Sequence, residues 1–213
     1  MTYPPEFYPT LTESWEMLKR KVKQDAIDDK VRDKVLKRLS RRKKSSVFNE
    51  WEKFHRKYKK NDRIITEGEI CHKVFLIVSG GIRSYTYKND REITNWFSFE
   101  NEAFTAYYSY LTGFPSQETI QALEDTTVYS LQKVTLQDLF NKYHSLESIG
   151  RELVEFYYRW QEERIFSLQC DSAKERYEKL MLQQPDLFQK ATLGQIASYL
   201  GIAPETLSRI RSN

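Results

Sequence analysis

The chain is poor in the residues that build many kinds of site. Its 213 residues contain only two cysteines, Cys71 and Cys170, and three histidines, His55, His72 and His144. Two thiols cannot supply a four-thiolate iron–sulfur cluster within one chain, and no cysteine precedes Cys71, which excludes an N-terminal cysteine cluster. His55, His72, His144 or Cys71 could each be offered as an axial haem ligand, yet none sits at a ligand spacing, so exposed or hydrogen-bonded side chains are the simpler reading. There is no Gly-rich phosphate loop, no metal-ligand spacing and no nucleophile in a recognisable motif, so neither an enzyme nor a cofactor or metal site is expected. No apolar run approaches the roughly 20 residues of a membrane span. The start, Met1-Thr-Tyr-Pro-Pro-Glu6, lacks the basic and apolar regions of a signal peptide. A cytoplasmic protein with reduced thiols and no membrane partner is the expectation.

What the chain does have is charge. Asp, Glu, Lys and Arg make up 30% of it and hydrophobic residues 39%, with a net charge of +4, which permits a polyanionic partner without establishing one. The length allows one or two domains, each able to bury a core. Residues 1–45 pass from a Pro-rich, aromatic start to a charged segment where Trp15, Leu18 and Val22, then Val31, Val35 and Leu39, recur at helical intervals. We read this as an N-terminal helical extension whose basic cluster, Arg38, Arg41, Arg42, Lys43 and Lys44, is a solvated face.

From Arg63 the period shifts toward two. Arg63-Ile-Ile-Thr-Glu67, Val74-Phe-Leu-Ile-Val-Ser79, Ile82-Arg-Ser-Tyr-Thr-Tyr87 and Glu92-Ile-Thr-Asn-Trp-Phe97 are separated by Gly68, Gly80-Gly81 and the turn-like Lys88-Asn-Asp-Arg91. Glu118-Thr-Ile-Gln-Ala122 and Thr127-Val-Tyr-Ser-Leu131 complete the candidates. Short strands with Gly and Asn/Asp turns and no intervening helices indicate an antiparallel roll or sandwich, here placed at residues 46–145.

Helices follow, with a first start marked by Thr135 and Asp138. In residues 146–170, Leu146, Ile149, Leu153, Phe156 and Trp160 alternate steps of three and four, an a/d seam suited to pairing with a second copy. Beyond it the register meets Glu163 and Ser167, so the seam weakens or moves to Ile165 and Leu168. Packing of this helix on its own β domain is the alternative.

Residues 171–213 read as a second domain. Ser172 with Glu175 forms a capping box ahead of Ala173, Tyr177, Leu180 and Met181, read as facing inward. Thr192 with Gln195 forms another, followed by Leu193, Ile196, Ala197 and Leu200 on one face. Gly201 permits a tight turn, and Pro204 suits the first position of a second helix with Leu207 and Ile210 inward. Glu205, Thr206, Ser208, Arg209 and Arg211 are then free to meet base edges and phosphates in a major groove. A small helical hairpin with an ordinary polar face would carry the same pattern.

Taken in order over about residues 46–212, these segments resemble the Crp/Fnr family of bacterial transcription regulators, and look most like the branch common in Bacteroidetes. The resemblance rests on Ser172-Ala-Lys-Glu-Arg-Tyr-Glu-Lys-Leu180, Gln195-Ile-Ala-Ser-Tyr-Leu-Gly-Ile202 and Pro204-Glu-Thr-Leu-Ser-Arg-Ile-Arg211, with Glu67-Gly-Glu69, Gly80 and Ala122-Leu-Glu-Asp125 in the β region. It implies an α+β protein: a cyclic-nucleotide-binding-like β-roll (a double-stranded β-helix), a dimerisation helix and a helix-turn-helix. Partners implied are double-stranded DNA, a second copy and RNA polymerase. Glu205 and Arg209, at i and i+4, could read a cytosine and a guanine, with Arg211 and the Thr206 or Ser208 hydroxyl on phosphates.

The departure from the family lies in its effector pocket. Aligning Gly113, Pro115 and Ala122-Leu-Glu-Asp125 places Ala106 and Tyr107 where a Gly-Glu pair would hold the ribose, and Ser116 and Gln117 where Arg-Ser would hold the cyclic phosphate. Loss of a guanidinium forfeits a charge-assisted, often bidentate contact. No tight binding of cAMP or cGMP is expected, and any other effector is unidentified. Tyr107, Tyr108, Tyr110 and Phe114 are expected to fill the roll, with lining a pocket for another small molecule as the alternative. With that pocket altered, Ala203 in place of a strong cap and no β wing after the second helix, a sensing or protein-interaction module with a weakened helix-turn-helix is the alternative function.

Overall fold

The computed structural model describes residues 55–100, 102–142 and 144–212. The N-terminal extension read at residues 1–45, with its basic cluster, lies outside them. Eight strands among the described residues form two antiparallel sheets. One has the order β1 (His55–Tyr58), β8 (Thr126–Gln132), β3 (Lys73–Ser79), β6 (Ala103–Phe104). The other runs β2 (Arg63–Ile65), β7 (Thr119–Ala122), β4 (Gly81–Lys88), β5 (Arg91–Phe99). This is the antiparallel roll that the period-two segments predict.

Alternation places Phe75 and Ile77 of β3, Ile82 of β4, Ile120 of β7 and Val128 of β8 in one buried core with Ile65, Phe104 and Ala106. Each buried aliphatic or aromatic side chain stabilises the roll by about 1.5–3 kcal/mol relative to exposure. The Phe75 and Phe104 rings stack at 4.9 Å. The β4–β5 hairpin closes through Asn89 and Asp90, both left-handed at φ 52° and 60°, as a two-residue turn with the twist of its strands requires. The ladder has an irregularity: Ser84 pairs with Trp96 but Tyr85 with Thr94, so Asn95 is an extra residue, a bulge on β5.

Seven helices are described. The first, α1 (Tyr107–Thr112), has an N-cap alanine without a side-chain cap and no amphipathic signal, which is why the sequence reading misses it. It also corrects the expectation for the aromatics, since Tyr107, Tyr108 and Phe114 are 44%, 47% and 61% exposed rather than filling the roll. Strand β1, His-Arg-Lys-Tyr, is missed because polar residues dominate it, and β6 because it is two residues long. Helix α2 (Lys133–Lys142) starts two residues before the Thr135 signal.

Helix α3 (His144–Cys170) spans 27 residues, about 40 Å at 1.5 Å per residue. Its half-buried face carries Leu153, Tyr157, Trp160 and Arg164. The Tyr157 hydroxyl donates to the Ala103 carbonyl of β6, anchoring the helix to the roll. Helices α4 (Ala173–Gln183), α5 (Leu187–Lys190), α6 (Leu193–Leu200) and α7 (Pro204–Ser212) complete the chain. Their buried side chains, Leu180, Leu187, Ile196, Ala197, Leu200 and Leu207, form one cluster with Phe97 and Leu123 of the roll. Met181 and Leu193, read as inward, are instead 37% and 43% exposed and lie outside that cluster. No helix among the described residues is long and apolar enough to cross a membrane.

Candidate nucleic-acid interface and effector pocket

Helix α7 is presented by a rigid frame. Thr192 accepts from the Gln195 amide at 3.2 Å while the Gln195 side chain accepts from the Thr192 amide at 2.9 Å, so both halves of the capping box at α6 are made. Gly201 ends α6 with φ 67°, a left-handed position, and its amide bonds back into the helix. The last carbonyls of α6 are capped from outside: Arg164 donates to Tyr199 O at 2.9 Å and Arg176 to Leu200 O at 2.9 Å. Two cations thus stand at the negative end of the helix. The Arg164 guanidinium also lies 3.8 Å from the centre of the Tyr199 ring, which ties the long helix to the turn preceding α7.

On this frame Leu207 is fully buried and Ile210 half-buried, which fixes the rotation of α7. Glu205, Ser208, Arg209 and Arg211 are exposed, whereas Thr206 is half-buried. Thr206 Oγ1 accepts a long bond from Arg209 Nη2 at 3.4 Å, and Arg211 stands 5.9 Å from the Phe188 ring. The predicted reading residues therefore share one solvent-facing helix surface, with Thr206 at its edge.

A second concave feature lies in the roll, a cleft of about 270 Å³ lined by Thr86, Asn95, Tyr108, Ser109, Ser116, Gln117 and Glu118. Of the four residues placed there from sequence, Ser116 and Gln117 line it. Ala106 does not, being packed in the core at 1% exposure, and Tyr107 points to solvent outside it. Ser116 is structural as well: its hydroxyl donates to Glu118 O at 2.7 Å, and its backbone pairs with Gly68 and Glu69 at 2.8 Å each. Ser109 accepts from the Cys71 amide at 2.9 Å, and Cys71 is buried against Thr105 and the Lys73 carbonyl. The lining includes no Lys, Arg or His among the described residues.

The residue that the sequence reading misses is Glu118. Its carboxylate Oε2 accepts from Ser84 Oγ and, at 3.1 Å, from Trp96 Nε1, while Asn95 Nδ2 donates to Ser84 Oγ at 3.3 Å. Burial holds its proton affinity above the usual carboxylate range, against the lowering by Ser84, Trp96 and Asn95. Glu118 immediately precedes β7 and its period-two neighbours, and nothing in that local pattern marks it as an inward acid.

The roll and the capped helices define the class: an antiparallel β-roll domain joined to a helix-turn-helix. Residues 55–143 match the cyclic nucleotide-binding domain family. The chain is 26% identical over 164 residues to the fumarate and nitrate reduction regulatory protein of Vibrio cholerae, covering 71% of this chain and 64% of that regulator's length. Residues 55–143 thus belong to the cyclic nucleotide-binding domain family, and the chain as a whole is similar to transcription regulators of the Crp/Fnr type.

Solved structures share the fold. FixK2 from Bradyrhizobium japonicum superposes with a TM-score of 0.65 at 23% identity, covering 74% of this chain and 82% of that one. A CooA mutant from Carboxydothermus hydrogenoformans gives 0.62 at 20% identity, covering 83% and 82%. A crp/fnr-family regulator from Eubacterium rectale gives 0.58 at 19%, covering 78% and 84%.

Proposed function

We propose that this protein is a cytoplasmic, homodimeric, sequence-specific DNA-binding transcription regulator that does not respond to cAMP. The observation that carries the reading is the exposed Glu205, Ser208, Arg209 and Arg211 surface of α7, on a helix whose start, turn and rotation are fixed by capping and by buried Leu207. Glu205 and Arg209 are suited to cytosine N4 and guanine O6/N7, and Arg211 with Ser208 to phosphates. Two such helices in successive major grooves, about 34 Å apart, would read a two-fold-related site. RNA polymerase is the protein partner that a transcription regulator of this kind would engage.

The dimer forms through α3. Leu146, Ile149, Leu153, Phe156 and Trp160 make the seam read from sequence, but Leu153 and Trp160 share the half-buried face with Tyr157. One residue on, Val154, Tyr158, Ile165 and Leu168 recur at steps of four, seven and three and are 46%, 63%, 54% and 41% exposed. That stripe is the better surface for a second copy. The cleft in the roll does not suit a cyclic phosphate, since its one acidic side chain, Glu118, would face a second negative charge in a partly desolvated site.

The test is selection from a random duplex library with the ligand-free protein at two salt concentrations, which separates phosphate attraction from base readout. Enrichment of a two-fold-related motif is expected. Retention of DNA without a motif, abolished by modest salt, would overturn the reading in favour of a sensing or protein-interaction module.

A further inference from the structure

The cleft in the roll has a charge and hydrogen-bond pattern that specifies its occupant. Trp96 Nε1 can only donate, and so can the Asn95 amide nitrogen, which passes its hydrogen to Ser84 Oγ. Ser84 in turn hands its own hydrogen to Glu118 Oε2, the atom that Trp96 also reaches. Every hydrogen in this set therefore runs toward the carboxylate, so Glu118 is held as an acceptor by neutral groups alone. Neighbouring cations are committed elsewhere. Arg83, next to Ser84 and so on the opposite face of β4, pairs with Glu92 and Gln121, and Lys133 donates to the Tyr110 carbonyl at 2.6 Å.

A partly buried carboxylate without a counter-charge is costly, and a ligand can supply that charge. The rest of the lining suits a cation that donates. Asn95 and Gln117 offer amide oxygens, Thr86 a hydroxyl, and Tyr108 an aromatic ring at the mouth, a surface that attracts an ammonium group. The cleft, at about 270 Å³, is just below the usual size of ligand sites, which limits it to a small occupant.

We propose that the roll is an effector site for a small protonated amine, bound through its ammonium group to Glu118 and against Tyr108. This rests on the reading of the roll as a sensor domain without a phosphate clamp. It inverts the charge preference of a cyclic-nucleotide pocket. The ammonium group would occupy the space beside the carboxylate, and the organic body would extend past Gln117 toward the opening.

The test uses full-length protein without DNA, with tyramine as the probe and its neutral isostere tyrosol as the control. Binding is followed through the Trp96 indole N–H resonance in ¹H–¹⁵N spectra. Tyramine is expected to shift that resonance saturably and to bind about tenfold tighter than tyrosol, a preference of the size one charge-assisted hydrogen bond provides. Glu118→Gln should abolish the preference while leaving any tyrosol binding unchanged. Gln117→Lys, at an exposed position that does not endanger folding, should weaken tyramine and spare tyrosol.

Equal binding of the two probes, no binding of tyramine, or a preference that survives in Glu118→Gln would overturn the proposal. None of these bears on α7, so the DNA-binding reading would stand. Saturable cAMP binding at the same resonance would instead overturn the charge assignment of the cleft, and with it the expectation that the regulator ignores cyclic nucleotides.

Discussion

Ser198 on α6 and Thr94 on β5 share a hydrogen bond across the join between the helix-turn-helix and the roll. The Thr94 amide donates to Ser198 Oγ at 2.9 Å, and the same hydroxyl donates to the Glu92 carbonyl at 3.1 Å. Strand β5 is at the edge of its sheet, so one serine satisfies a donor and an acceptor that a further strand would otherwise pair. Phe97 packs on Tyr199 at 5.3 Å beside it, and Lys190 pairs with Glu124 at 2.8 Å.

Replacing Ser198 by Ala removes both bonds and leaves the Thr94 amide without its partner. The expected cost is about 1–3 kcal/mol in denaturant unfolding, the range for orphaning a buried polar group. Hydrogen exchange at Thr94 should accelerate with it. Stability and exchange both unchanged would show that the hydroxyl contributes nothing to the join.

Arg209→Ala should weaken specific DNA binding by about 1–3 kcal/mol and relax discrimination at one position in each half-site. Binding titrations against the selected site and its single-base variants measure both. A uniform loss over all sequences would assign Arg209 to phosphate instead.

Ile165→Glu places a charge in the exposed stripe of α3. Sedimentation velocity at micromolar concentration should show a dimer for the parent and a monomer for the variant, with unchanged circular dichroism because Ile165 is 54% exposed in the single chain. A variant that remains dimeric would move the seam back to the Leu153 and Trp160 face.

Glu118 gives a pH dependence with a definite sign. Burial raises its folded-state pKa above the unfolded value near 4.5, so its stability contribution is fully present below that value and is lost as pH rises through the raised one. Glu118→Gln lacks this loss. In thermal melts from pH 4 to 8 the variant should gain on the parent as pH rises, and a difference that is flat or runs the other way would contradict a desolvated carboxyl.

The sequence discloses most where one local rule decides the outcome. Thr192, Gln195, Gly201 and Pro204 delimit two helices through capping and φ alone, and Asn89-Asp90 locates a hairpin in the same way. It discloses least where the deciding contacts are distant. Alignment places Ala106 and Tyr107 in the cleft, but the start of α1 puts the first in the core and the second in solvent, while Tyr108 and Ser109 reach the cleft. Glu118 becomes distinctive only because Ser84 and Trp96, 34 and 22 residues away, converge on it. The join at Ser198 is equally hidden, because a serine on a helix surface looks alike whether it meets water or a strand edge 104 residues earlier.

The extra residue on β5 sets the two working parts of the protein at a separation of one peptide unit. Asn95 lines the cleft, and Thr94, next to it, bonds the helix-turn-helix. A bulge leaves its extra residue unpaired and bends the strand, so the ladder is interrupted at this point. If the proposed occupant draws on Asn95, its pull would reach the contact with α6, and thermodynamic reciprocity would fix the converse. By whatever factor the occupant changes the affinity for DNA, a bound operator changes the affinity for the occupant, so the regulator's sensitivity to its signal would depend on how many of its sites are already filled.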